Sequence, residues 1–159
     1  MRHKMRIVDI MSAELVVADL KAKTRDSVLE EIVGQIVTVV REVDATSAFR
    51  VLIERERIGS TGVGQGIAIP HAKLSSLSRA IACFGRSVGG VDFGSLDGKP
   101  AHLFLTLLVP EGSSGIHLKA LARASRLLKD ADFRKKLVEL DSAPALWDAI
   151  CAKDTSGTF

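Results

Sequence analysis

Residues 59–71 read Gly-Ser-Thr-Gly-Val-Gly-Gln-Gly-Ile-Ala-Ile-Pro-His, and this run sets the order of structure on both sides of it. Gly59, Gly62, Gly64 and Gly66 let the backbone bend tightly and approach a ligand closely. Ile67, Ala68 and Ile69 read as a short buried strand, and Pro70 blocks any helical continuation. Upstream, Thr46 to Ile58 reads as a helix with Phe49, Leu52 and Ile53 inward and Glu54, Arg55 and Glu56 outward, ended by Gly59. The order is therefore helix, glycine loop, strand. A dinucleotide-binding fingerprint needs strand, loop, helix, so that a helix N-terminus can hold the pyrophosphate. A phosphate-binding P-loop needs Gly-Lys-Ser/Thr, which this chain lacks. Both nucleotide readings fail.

Other elements follow from periodicity and turn chemistry. A helix from Ser27 to Val40 carries Val28, Ile32, Ile36 and Val40 on one face, with Ser27 and Glu30 at capping-box spacing. Ile81 to Arg86 and Leu103 to Val109 read as strands, the second apolar enough to be buried on both faces. Asp97-Gly98-Lys99-Pro100 is a turn. A helix from His117 to Lys129 follows Glu-Gly-Ser-Ser-Gly, a short one spans 131–139, and the last starts at Ser142 with Pro144 in its first turn and ends near Ala152. Strands in the middle and helices at both ends predict a single-domain α/β layered sandwich, a central mixed β-sheet flanked by helices. Residues 1–159 form one domain, with residues 1–6 expected as a flexible leader and 154–159 as a flexible tail.

Composition narrows the function. Aromatics are only 4%, too few for a base-stacking platform, and the 22 basic against 19 acidic residues form no basic stripe, so no nucleic-acid partner is expected. Glu14 and Asp19 interrupt any apolar run after the basic start, and Leu103 to Val109 is too short to span a bilayer, so neither a secretory signal nor membrane insertion is expected. Cys83 and Cys151 are not metal-spaced, and a cytoplasmic, reducing compartment is the natural setting.

His71 is the candidate reaction centre, because imidazole is both a nucleophile and a proton carrier near neutral pH. Arg57, Ser60, Thr61 and the Gly62 backbone stand beside it, and guanidinium, hydroxyl and N–H donors are what a phosphoryl group needs. His117 falls at a predicted helix start, where anions are favoured. His102 and His3 carry no such context. No third ligand accompanies His71 and His117 at metal spacing, so no metal or other cofactor is expected, and no Gly-x-Ser-x-Gly elbow supports a serine hydrolase.

Residues 56–72, Glu-Arg-Ile-Gly-Ser-Thr-Gly-Val-Gly-Gln-Gly-Ile-Ala-Ile-Pro-His-Ala, closely resemble the signature of the mannitol/fructose-type enzyme IIA domains of the bacterial phosphotransferase system, and His117-Leu-Lys-Ala-Leu-Ala resembles the family's second signature. The resemblance covers essentially the whole chain. It implies the mannitol-type IIA fold and a phosphohistidine carrier, a covalent intermediate rather than a turnover enzyme. His71 would accept the phosphoryl group, and His117 and Arg57 would assist. The donor would be an HPr-like phosphocarrier protein. A free-standing chain of this length resembles the nitrogen-regulatory branch, whose partners are regulatory targets such as potassium-transport or sensor-kinase proteins. The alternative is a fructose- or mannitol-specific component passing phosphate to a IIB transport component.

Overall fold

A computed structural model describes residues 5–156. The centre is β6 (Ala101–Pro110), nearly all of it buried, as its unbroken apolar run requires. On one side it pairs antiparallel with β5 (Ile81–Val91), which pairs in turn with β1 (Val16–Val17). On the other side two short strands lie end to end along β6, both parallel to it. These are β3 (Ile67–Ala68), in register with Leu103 and Phe104, and β4 (His71–Leu74), in register with Leu107 to Pro110. β2 (Gly62–Gly64) completes the edge, antiparallel to β3.

The helices are α1 (Arg25–Val39), α2 (Ala45–Ile58), α3 (Ser114–Leu127), α4 (Ala131–Glu139) and α5 (Ala143–Thr155). α1 and α2 pack on each other and against β5 and β4, α3 and α4 against β6, and α5 against β1. The expected α/β sandwich with a mixed central sheet is what forms. Its core is built from Val, Ile, Leu and Ala around Phe84, Phe93 and Phe104, with Phe93 meeting Phe104 edge-on at 5.3 Å.

Three differences from the sequence reading bear on the site. First, the glycine run is not a loose cradle. β2 and β3 form a hairpin whose two connecting residues, Gln65 (φ 58°) and Gly66 (φ 78°), both take positive φ as a type I′ turn demands. Asp97 anchors it by accepting the Gln65 N–H at 2.9 Å. Second, α3 starts at Ser114, so His117 stands about one turn inside the helix rather than at its start, and its N–H already donates to Ser113 O (3.0 Å). Third, α5 runs through Thr155 with Asp154 fully buried, and Met5 packs on the core beside a 3₁₀ turn at Ile7–Asp9. The edges of the expected leader and tail thus belong to the fold. Residues 1–4 and 157–159, including His3, lie outside the described residues.

Helix starts moved for a simple reason. α1 begins at Arg25 because Thr24 is its N-cap, trading hydrogen bonds with Ser27, and α2 begins at Ala45 because Asp44 accepts from Ser47 N.

Candidate functional site

Pro70 creates the site. It has no N–H and interrupts the strand between β3 and β4, while its carbonyl still accepts from Leu107 N (2.8 Å). The interruption frees the Ile69 carbonyl from the ladder with β6, and His71 Nδ1 lies 2.8 Å from it. A carbonyl can only accept, so Nδ1 carries the hydrogen. In the neutral ring Nε2 then holds the lone pair.

Across the cleft, the His117 ring meets that of His71 edge-on, with centroids 5.3 Å apart and planes at 61°. The cleft they share is about 380 Å³ and is walled by α2 through Val51, Glu54, Arg55 and Ile58, with Lys73 of β4 two residues along from His71. Those α2 positions fall at i, i+3, i+4 and i+7, one face of the helix. Arg55 Nη1 donates to Gly59 O (2.9 Å), which holds the guanidinium at the helix end, and no carboxylate pairs with it among the described residues.

Burial pushes the pKa of His71 below its ordinary value of 6.5; the Ile69 carbonyl opposes this and the Arg55 guanidinium adds to it. His117 is also lowered, first by burial and then by the nearby His71, Lys73 and Arg55. Both rings are therefore neutral at pH 7. A folded-state pKa below the unfolded one gives stability that is present above pH 6.5 and lost as pH falls through the folded value. A proton NMR titration of the ring signals should give midpoints below 6.5 for both residues. A midpoint at or above 6.5 for His71 would contradict its burial.

The structure brings together two of the expected site residues, His71 and His117, and not the rest. Arg57 is exposed and stands outside the cleft, because two residues of helix turn the side chain about 200° away from Arg55. Arg55 takes the place in the cleft expected of Arg57. Ser60, Thr61 and Gly62 also lie outside the cleft, and their donors are spent elsewhere. The Ser60 hydroxyl donates to Phe93 O (2.7 Å) and accepts the Gly62 N–H (3.0 Å), while the Thr61 N–H and hydroxyl both go to Glu56. Ser60 instead lines a separate cleft of about 440 Å³ with Thr24, Arg25 and Glu56. Among the described residues no group of three or more His, Cys, Asp or Glu could hold a metal ion, and no helix is long and apolar enough to cross a membrane.

Sequence reasoning missed Arg55, Glu56 and the apolar rim. Ile58, 83% exposed, borders the cleft, and Leu118, 66% exposed, adjoins His117. The spacing of Arg55 from Val51 and Ile58 was the available signal.

Comparison with known proteins adds an independent line. The family described as "Phosphoenolpyruvate-dependent sugar phosphotransferase system, EIIA 2" matches residues 9–153. A nitrogen regulatory protein of Bradyrhizobium diazoefficiens is 38% identical over 146 residues, covering 92% of this chain and 95% of that protein. A fructose-specific EIIA component of Haloferax volcanii is 37% identical, covering 91% and 94%. The crystal structure of nitrogen regulatory protein IIA-Ntr from Neisseria meningitidis superposes with a TM-score of 0.83 at 30% identity, covering 91% of this chain and 98% of that one.

Proposed function

We propose a function from one premise: the chain belongs to the phosphoenolpyruvate-dependent sugar phosphotransferase system EIIA 2 family. It is a phosphohistidine carrier of the nitrogen-regulatory type, taking a phosphoryl group onto His71 from an HPr-like protein and controlling partner proteins by its phosphorylation state. The observation that carries this reading is His71, tethered at Nδ1 and facing His117 across a cleft that also holds Arg55.

The step is an in-line displacement. The Nε2 lone pair of His71 forms the new N–P bond as the donor's N–P bond breaks and its imidazole leaves with the electron pair. The His71 ring becomes cationic while Nδ1–H is retained, and the Ile69 carbonyl, 2.8 Å away, stabilises that charge. Negative charge spreads over the equatorial oxygens, where the Arg55 guanidinium is the stabiliser. His117 supplies a hydrogen bond to the same oxygens. Its buried Nδ1 has no partner among the described residues, and such a nitrogen gains one when a phosphoryl group arrives. Ile58 and Leu118 form an apolar rim on which a protein partner docks. A phosphoryl group of about −1.5 to −2 charge between them changes what that rim can bind, which is how the switch reads out to regulatory partners such as transport or sensor-kinase proteins.

The test is labelling from phosphoenolpyruvate through the general carrier proteins, read as acid-labile phosphate. The wild type should label, Arg55→Ala should label more slowly by about 10² to 10³, and Arg57→Ala should match the wild type. No label on the wild type ends the reading. A slow Arg57→Ala with a normal Arg55→Ala would return the catalytic cation to Arg57. The similarity to a fructose-specific component supports a second reading, phosphate transfer to a IIB component. Label that chases onto sugar in cell membranes would favour it over the regulatory one.

A further inference from the structure

We propose that Glu56 is a positioning residue for His71, acting through Thr61 and Ile69 to hold the imidazole as its Nδ1–H tautomer. The inference rests on the phosphocarrier reading for its meaning, though its main readout does not.

Glu56 sits where α2 should be apolar. It continues the stripe Ala48–Leu52, one residue every four, and is only 4% exposed. Burying a carboxylate costs several kcal/mol unless its oxygens are satisfied. Here one residue satisfies both. The Thr61 N–H donates to Oε2 at 3.1 Å, and the Thr61 hydroxyl donates to Oε1 in a short contact. Burial raises the Glu56 pKa and the two Thr61 bonds oppose that rise.

The bonds do not stop at Thr61. Its carbonyl accepts the Ile69 N–H at 3.0 Å, and the Ile69 carbonyl accepts Nδ1–H of His71 at 2.8 Å. A series of contacts therefore runs from the Glu56 carboxylate through the backbones of Thr61 and Ile69 to the imidazole. It crosses from α2 to the β2–β3 hairpin and ends at the start of β4. Ile69 and Pro70 lie where the edge strand is interrupted, between β3 and β4, so the ladder alone does not fix the Ile69 carbonyl. The Thr61 contact supplies the missing constraint. Each contact fixes the backbone that makes the next one, so the carbonyl facing the imidazole is held in place from α2. With the proton fixed on Nδ1, Nε2 is left as the nucleophile. Without the series the ring would revert toward the Nε2–H tautomer that free neutral imidazole prefers, and that form presents no lone pair at Nε2.

The experiment is nitrogen NMR of the His71 ring, which distinguishes a protonated from an unprotonated nitrogen, together with the labelling rate and its KM for the phosphorylated donor. Wild type should show a protonated Nδ1 and a bare Nε2. Glu56→Ala should move the ring toward a tautomer mixture and lower the maximal labelling rate on the order of 10- to 100-fold, with KM for the donor unchanged. Glu56→Gln, which keeps an oxygen for the Thr61 N–H, should restore both. If Glu56→Ala does not fold, Thr61→Val decides, since it removes only the hydroxyl bond and should shift the ring part-way. Wild-type ring signals in a folded Glu56→Ala or Thr61→Val protein would overturn the proposal, as would a loss confined to KM. If the wild type accepts no phosphate, the carrier reading fails alone, and the ring signals still decide the role of Glu56.

Discussion

His71→Ala should accept no acid-labile phosphate above background while remaining folded, and His117→Ala should still label, about 10²-fold more slowly. The contrast follows from what each ring does. In the proposed transfer His71 makes the covalent bond, so its removal leaves no acceptor. In the same reading His117 stabilises charge from the neighbouring position and can be dispensed with at a cost in rate. It cannot take over as acceptor, because its ring stands edge-on 5.3 Å away, on a helix rather than the strand end, and lacks the carbonyl tether that leaves one nitrogen bare in His71. Loss of the half-buried His71 side chain removes little packing and one hydrogen bond, which costs about 1 kcal/mol. Mapping the label to a phosphopeptide that contains His71 completes the measurement. Undiminished label on His71→Ala would place the acceptor elsewhere and remove the basis of the carrier assignment.

The histidines were legible in the sequence because their signals are local. Ile-Pro-His states a strand end, a break and a side chain in three residues, and His117 follows a buried strand at the distance a short loop allows. The cation was not legible in the same way. Arg55 and Arg57 are both basic, both near the glycine run, and differ only in helical phase. Proximity in sequence favours Arg57, while the 3.6-residue turn puts Arg55 on the cleft wall. Glu56 was misjudged because a charged residue between two arginines reads as solvated, although its phase matches Ala48 and Leu52. Ser60, Thr61 and Gly62 had suitable donors for an anion. What sequence could not show is that each donor already had an acceptor in Phe93, Glu56 or Ser60.

The fold divides similarly. α4 was read at its observed bounds, 131–139, and α1, α2, α3 and α5 to within about three residues. Long amphipathic segments carry their own phase. β1, β2 and β4 went unread because two to four residues give no periodicity, and their existence depends on partners far along the chain. β4 forms only because β6 is there to pair with it, and that pairing turns a histidine after a proline into a rigidly held one.

Asp154→Ala should lower the thermal midpoint by on the order of 10 °C. Asp154 is fully buried, accepts the Val8 N–H at 2.9 Å and pairs with Arg123 Nε at 2.9 Å, and Arg123 also donates to the Asp154 carbonyl. One carboxylate thus joins the N-terminal turn, α3 and α5. Removing it breaks an ion pair to a guanidinium only 11% exposed, and breaking a buried pair costs about 3–5 kcal/mol against a total stability of about 5–15 kcal/mol. The exposed pair of Asp19 and Lys21 is the control, and Asp19→Ala should leave the midpoint essentially unmoved. If the loss comes from the broken ion pair, the double variant Arg123→Met, Asp154→Leu should recover most of it, because it removes both charges and leaves only the Val8 N–H without its acceptor. A midpoint for Asp154→Ala within about 2 °C of wild type would mean that water reaches Arg123 and that α3 is held by packing alone. Failure of the double variant to recover would place the cost in the lost Val8 contact, and so in the docking of the chain's first turn.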